Sequence, residues 1–159
     1  MVKLPRLPRR TLALAALAAF VWGQPASGEG FAPVTLTPAE IRLEADASRP
    51  GGMAIAILAG DMAKPGLYAA RIRMPAGLRV EPHFHPENRV VVVLSGTLHI
   101  GFGERFEPER LRAMPAGSFF VEPAGVPHFA RVGEEDAIVQ VSGVGPSGTT
   151  YLHPGAPGH

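Results

Sequence analysis

Apolar residues along the chain fall into short runs that glycine and proline separate. The runs from residue 53 onward read MAIAILAG, GLYAARIRM, RVVVVLSG, TLHIGFG, GSFFVEP, HFARV and DAIVQVSGVG. Runs of this length, rich in valine, isoleucine and phenylalanine, are typical of β-strands, and the KPG and PAG tripeptides between them are turn signals. The pattern predicts an all-β fold, either a sandwich or a barrel.

Two segments depart from the strand pattern. In TPAEIRLEA, Thr37 is placed as an N-cap, Pro38 occupies the first helical position and Glu40 completes a capping box. These residues predict a short helix that continues to about Ala45. In FEPERLRAM, Pro108 is positioned for a first turn and the segment is charged, so we expect one helical turn there.

The first 28 residues have the layout of a secretory signal peptide. Four basic residues precede an apolar run from Leu12 to Trp22, and Ala26 and Gly28 suit the −3 and −1 positions of a cleavage site. The run is short for a transmembrane span, although its length also permits an uncleaved anchor. RRTLAL resembles a twin-arginine signal, but Pro8 stands where serine or threonine is usual, so the Sec and twin-arginine routes both stay open. We predict an exported protein, periplasmic or extracellular, with no membrane attachment after cleavage.

The rest of the chain, residues 29–159, is the right size for one domain. Its core is expected at about residues 50–145. From Pro146 the tail loses its periodicity, which predicts a mobile C-terminal end.

Removal of the signal changes the charge of the protein. Four of the 15 basic residues leave with it, so 11 remain against 14 acidic residues and the net charge is near −3. No basic stripe remains, which argues against a nucleic-acid partner. The chain has no cysteine, so no thiolate can act as a metal ligand or nucleophile.

Three histidines form the most informative pattern in the sequence. His83 and His85 are two residues apart at the start of an apolar run, so on a strand both imidazoles face the same side. His128 opens a later run, directly after a predicted tight turn. If the sheet closes on itself, three neutral imidazoles meet and suit Fe, Zn, Ni, Cu or Mn, with coordination positions left for water or substrate.

Two motifs in this region resemble those of the cupin superfamily. The first family motif, G-x5-H-x-H-x3,4-E-x6-G, is matched by Gly77, His83, His85 and Gly96. The second, G-x5-P-x-G-x2-H-x3-N, is matched by Gly117, Pro123, Gly125 and His128. The resemblance covers roughly residues 65–145. It implies a small single-domain cupin, an antiparallel jelly-roll barrel with a metal near its centre that His83, His85 and His128 hold.

The sequence departs from the family at two positions. Val132 replaces the final asparagine of the second motif, and Arg89 stands where the family has its metal-binding glutamate. A guanidinium cannot ligate a cation, because it stays protonated and has no free lone pair. A three-histidine site is the better interpretation, with Glu87 as an alternative fourth ligand if a local bulge reorients it.

Arg89 has three open roles. It could bind the carboxylate of an anionic substrate at the metal. It could instead form an ion pair with Glu81, Glu87 or Glu122, or extend its guanidinium to solvent.

Other polar residues receive weaker assignments. Gln140 could hydrogen-bond a metal-bound water, and Glu122 could accept a proton at the rim of the cavity. His99 alternates against apolar neighbours and is expected to point outward, whereas His153 and His159 lie in the tail.

These observations lead to two hypotheses for function. The first is an exported cupin that binds one divalent transition metal, with iron favoured; its resemblance to three-histidine iron cupins implies a dioxygenase-like oxidoreductase acting on small anionic or enol molecules. The second is a non-enzymatic envelope protein that binds metal or a small ligand. Whether the protein is an enzyme stays open at this point, as does a barrel that holds no metal. Barrels of the family often pair through exposed strand edges and N-terminal segments, so the resemblance also implies a homodimer.

Overall fold

A computed structural model describes residues 32–45 and 49–153, and strands make up most of them. The predicted signal peptide, residues 1–28, and the end of the tail, including His159, lie outside this part of the chain. The strands are β1 Glu44–Ala45, β2 Ala54–Ala59, β3 Gly66–Met74, β4 Arg79–Phe84, β5 Arg89–Ser95, β6 Thr97–Phe102, β7 Arg112–Pro115, β8 Phe119–Glu122, β9 His128–Val132, β10 Ala137–Gly145 and β11 Thr150–Tyr151.

The strands form two antiparallel sheets. The six-stranded sheet has the order β1-β2-β3-β10-β5-β8, and the five-stranded sheet has the order β11-β4-β9-β6-β7. Strands that follow one another in sequence often lie in different sheets, so the chain crosses repeatedly between them. This arrangement confirms the predicted antiparallel jelly roll.

The core lies between the two sheets because each strand buries alternate side chains. In β5, Val91 and Val93 are buried, whereas Val90 and Leu94 are exposed. Val132, which replaces the family asparagine, is buried in the hydrophobic cluster between the sheets. An apolar side chain fits this position, since burying valine stabilises a fold by about 1.5 kcal/mol or more.

The predicted N-terminal helix is wrong in extent. Thr37 and Glu40 form the expected capping box, with the Thr37 backbone N–H donating to the Glu40 carboxylate at 2.7 Å. The helix, however, is a single 3-10 turn over Pro38–Glu40, and Ile41, which follows it, is already extended. A short isolated helix is marginal in water, and here the chain instead pairs β1 with β2.

The other predicted helical turn is present. Pro108–Arg110 forms a 3-10 turn between β6 and β7. Among the described residues, no helix is long and apolar enough to cross a membrane.

Candidate metal centre

The three histidines converge at one end of the five-stranded sheet. His83 lies in β4, His85 directly follows that strand, and His128 begins β9, where the register places it opposite His83. Their potential ligand atoms all lie within 4.8 Å of one another. All three side chains are buried. The group can therefore hold one metal ion.

Backbone carbonyls orient all three imidazole rings. His83 Nδ1 lies 2.7 Å from the Glu81 oxygen, and His85 Nδ1 lies 2.6 Å from the Gly148 oxygen. His128 Nδ1 lies 3.1 Å from the Val126 oxygen. Because a carbonyl oxygen only accepts hydrogen bonds, each Nδ1 carries the proton and each Nε2 presents a lone pair.

The Nε2 atoms of His85 and His128 are buried without a hydrogen-bond partner. A buried polar atom left unbonded is costly unless another group satisfies it. A divalent transition metal would satisfy both lone pairs, so the donor set fits such an ion.

Electrostatics keep the imidazoles neutral. Burial, reinforced by the neighbouring His128, lowers the pKa of His83 to about 3. Burial, reinforced by the Arg89 charge, lowers the pKa of His85 to about 3. Burial also lowers the pKa of His128, although the nearby Glu122 opposes this shift. At neutral pH all three rings are in the form that ligates metal.

Arg89 forms an ion pair with Glu122. The two residues are direct cross-strand partners on β5 and β8, and the Arg89 Nε–H donates to Glu122 Oε2 at 2.5 Å. Both side chains are buried. Of the roles left open for Arg89, the structure shows the ion pair, and the guanidinium does not extend to solvent. Burial raises the pKa of Glu122, but the charge of Arg89 and its hydrogen bond oppose this effect, and that pKa lies below its ordinary value.

Glu122 also faces the histidines. Its Oε1 lies 3.5 Å from His128 Nε2, and its Oε2 lies 3.8 Å from His85 Nε2. The carboxylate predicted at the rim of the cavity is therefore buried beside two of the imidazoles.

Glu87 does not lie with the imidazoles, which corrects the alternative that made it a fourth ligand. The chain bends at Pro86–Glu87 between β4 and β5, so strand alternation does not extend to this residue. The Glu87 carboxylate is instead buried against Tyr68, whose hydroxyl donates to Oε1 at 2.7 Å.

Gln140 is also placed away from the centre, contrary to its suggested role. In β10 the inward positions are Ala137, Val139 and Val141. Gln140 points to the opposite face, where its Oε1 accepts a hydrogen bond from Arg71 at 3.1 Å. His99 lies on the outer face of β6, as its alternation predicted.

The imidazoles border a cavity of about 350 Å³ between the two sheets. Both sheets contribute apolar side chains to its wall, among them Ile72, Val91, Leu98 and Val139. Arg89, Glu122, Arg49 and Tyr151 add polar groups. A cavity of this size, with mostly apolar walls and a few polar groups, is typical of a small-molecule pocket.

The sequence interpretation missed part of the tail that builds this site. β11 pairs with the end of β4, so Tyr151 lies opposite His83, and their ring centroids are 5.3 Å apart. Gly148 supplies the carbonyl that orients His85. Glycine and proline mask any periodicity here, and the aromatic Tyr151 was the one residue that could have indicated a packed segment.

Comparisons with known proteins agree with this architecture. The model of the Cupin domain family matches residues 70–142, a stretch that contains all three histidines. No curated protein matches the sequence at a significant level.

Several solved structures share the fold. The DMSP lyase DddQ from Ruegeria pomeroyi DSS-3 is 25% identical, with 79% of this chain and 63% of that chain covered and a TM-score of 0.55. The polyketide cyclase RemF from Streptomyces resistomycificus is 15% identical, with 77% and 87% covered and a TM-score of 0.63. A salicylate 1,2-dioxygenase from Pseudoaminobacter salicylatoxidans is 18% identical, with 63% and 29% covered and a TM-score of 0.52.

By their names these neighbours are a lyase, a cyclase and a dioxygenase, so the shared fold does not select one reaction. The shared fold agrees with the family match. With their two-sheet jelly roll and clustered histidines, residues 70–142 form a domain of the cupin superfamily.

Proposed function

We propose that the protein binds one divalent transition metal through the Nε2 atoms of His83, His85 and His128 and holds a small molecule beside it. The observation that carries this proposal is the convergence of three buried, neutral imidazoles within 4.8 Å. Buried histidines that only packed in the core would not aim unbonded lone pairs at a common point.

The cavity supports a particular class of molecule. Its walls are mostly apolar. Neutral imidazole ligands do not compensate the positive charge of a divalent ion. A small, largely apolar molecule with an anionic or enolate group matches both features. Arg89 adds positive charge to the same wall, although Glu122 occupies its Nε–H.

The proposed reaction class is a dioxygenase-like oxidation with iron. Iron bound by three imidazoles would supply open coordination positions for O2 and substrate, together with redox chemistry. The protein residues fix the ring orientations through the carbonyls of Glu81, Val126 and Gly148. The apolar wall excludes water from the substrate side.

Metal content tests the binding proposal. We expect about one metal ion per chain in wild-type protein, measured by mass spectrometry after purification, and none in His128→Ala. His99→Ala is the matched control, because His99 lies on the outer face of its strand. A His128→Ala protein that keeps its metal would exclude this site.

Binding without turnover is the second candidate. The observation that favours it is that the two charged groups beside the imidazoles, Arg89 and Glu122, are paired with each other. Metal-loaded protein of this kind would retain a ligand but would consume no O2 with small carboxylates and enols. Measurable O2 consumption that His128→Ala abolishes would decide for the enzyme.

We further propose that the protein is exported. The layout of residues 1–28 supports this. Cell fractionation followed by N-terminal sequencing should find a mature chain that begins at Glu29 in the envelope or the medium.

A further inference from the structure

We infer that Glu122 is the fourth protein ligand of the metal, so that strand β8 supplies the carboxylate that the family motif places on the neighbouring strand β5. This inference rests on the proposed metal-binding function. It changes the site from three histidines alone to three histidines and one carboxylate.

Cross-strand pairing explains how β8 can supply this carboxylate in place of β5. The family glutamate would fall at position 89, and the residue directly opposite position 89 in the register of β5 and β8 is Glu122. Directly paired residues project from the same face of a sheet with their Cβ atoms close together. An acidic side chain at either position therefore reaches the same part of the cavity.

The distances fit a shared ion. Metal–ligand bonds of about 2.0–2.2 Å place neighbouring ligand atoms roughly 3–3.5 Å apart. Glu122 Oε1 is 3.5 Å from His128 Nε2, and Glu122 Oε2 is 3.8 Å from His85 Nε2. These separations are shorter than the 4.8 Å that bounds the three histidines.

The hydrogen-bonding roles fit a cation between these atoms. His85 and His128 direct their Nδ1 protons to carbonyls, so their Nε2 atoms can only accept. Glu122 turns carboxylate oxygens, which also only accept, toward the same two atoms. Buried acceptors that face one another are unfavourable, and a metal ion converts this arrangement into a ligand set.

Arg89 becomes a positioning residue in this arrangement. Its Nε–H donates to Glu122 Oε2 and leaves Oε1, the oxygen nearer His128, directed at the imidazoles. A guanidinium that holds one oxygen of a ligating carboxylate fixes its orientation in the way that groups behind metal ligands commonly do. Arg89 thus occupies the sequence position of the family glutamate, and its side chain orients the carboxylate of Glu122.

Glu122→Gln tests the inference, with Glu87→Gln as the matched control. Both changes remove one buried carboxylate, but Glu87 bonds Tyr68, whereas Glu122 faces His85 and His128. Zn²⁺ affinity is measured by competition with a chelator, and the visible spectrum of the Co²⁺ form reports the ligand set. We expect Glu122→Gln to weaken Zn²⁺ binding by at least about tenfold and to change the Co²⁺ spectrum, and Glu87→Gln to do neither.

A crystal structure of the zinc-loaded wild-type protein makes the test independent of how any variant folds. Three imidazoles and one carboxylate oxygen at about 2.0–2.2 Å would support the inference. Wild-type affinity and spectrum in Glu122→Gln, or a fourth ligand that is water alone, would overturn it and leave the three-histidine site in place. Absence of metal from wild-type protein would overturn the proposed function as well.

Discussion

At the scale of single residues, the candidate centre depends on histidines that stay neutral while buried. Burial lowers the pKa of His83 and of His85 from 6.5 to about 3. The lone pairs needed for a metal are therefore available at neutral pH without loss of a proton on binding.

The same shifts predict how stability depends on pH in the metal-free protein. Below pH 6.5 the unfolded chain protonates these two histidines, whereas the folded chain does not until about pH 3. The unfolded state binds more protons in this window, so the free energy of unfolding falls as the pH falls, by at most about 1.4 kcal/mol per pH unit for each histidine. Urea unfolding between pH 6.5 and 5 measures this slope above the range in which carboxyl groups titrate.

His83→Asn provides the control, because asparagine does not titrate. Its free energy of unfolding should change less steeply with pH than that of the wild type. Equal slopes in the two proteins would show that His83 is not held neutral in the folded state.

Residue types predicted part of this site and could not predict the rest. Alternation along a strand is a local rule, so the shared face of His83 and His85 followed from the sequence. The pairing of Arg89 with Glu122 depends on the register between β5 and β8. The sequence offered Glu81, Glu87 and Glu122 as equal partners for Arg89, and only the register selects one.

At the scale of elements, the alternation of apolar and polar residues predicted the strands. The N-terminal helix predicted from the capping signals was too long. Thr37, Pro38 and Glu40 specify one turn, which is what forms. Nothing in those signals specifies where a helix must end, and pairing with β2 determined the conformation of β1. The strand β11 could not be predicted from its Gly- and Pro-rich sequence, because a strand of two residues shows no periodicity.

One close contact between strands predicts a sensitive glycine. A Cβ added at Gly101 in β6 would lie 2.4 Å from the ring of Phe129, its partner in β9. Phe129 is fully buried and packs against Phe106, so it cannot move away freely. We expect Gly101→Ala to destabilise the protein by about 1–3 kcal/mol, measured by chemical unfolding.

Gly148→Ala is the matched control for this change. The nearest atoms to its added Cβ would be 3.9 Å away, at Pro86. If Gly101→Ala were as stable as Gly148→Ala, the packing of Phe129 across β6 would be wrong.

Exchanging the residues at positions 89 and 122 tests whether the ligating carboxylate can come from either of the two paired strands. Arg89→Glu with Glu122→Arg returns the acidic residue to the family position and keeps opposite charges across β5 and β8. We expect this double variant to bind Zn²⁺ more tightly than Glu122→Arg alone, because the double variant keeps one carboxylate at the centre and the single variant has none. Chelator competition measures both proteins, and a double variant that binds no more tightly than Glu122→Arg would contradict the interchange.

At the scale of the whole molecule, the centre joins the two sheets. β4 and β9, which carry or adjoin the histidines, belong to the five-stranded sheet, whereas Arg89 and Glu122 belong to the six-stranded sheet. An ion bound to both His128 and Glu122 would link the sheets across the cavity. Metal binding should therefore stabilise the fold as a whole.

Calorimetry measures this stabilisation. A ligand at about 100 times its Kd stabilises the folded state by about 2.7 kcal/mol, so Zn²⁺ should raise the Tm by roughly 5–10 °C and EDTA should reverse the rise. His128→Ala should show no such response. A Tm that does not depend on metal would contradict a centre that connects the two sheets.

The resemblance of two spaced motifs to the family was enough to predict the barrel and the meeting of its histidines. The cavity wall was beyond prediction, because side chains such as Ile72 and Leu98 come from strands of both sheets and meet only through the fold. Export and the homodimer stay predictions that concern the whole molecule.

Anomalous diffraction from crystals of the zinc-loaded protein tests the central claim most directly. We predict one anomalous peak in the cavity, about 2.0–2.2 Å from the Nε2 atoms of His83, His85 and His128. A cavity without a peak under saturating zinc, or a peak remote from these three atoms, would contradict the account.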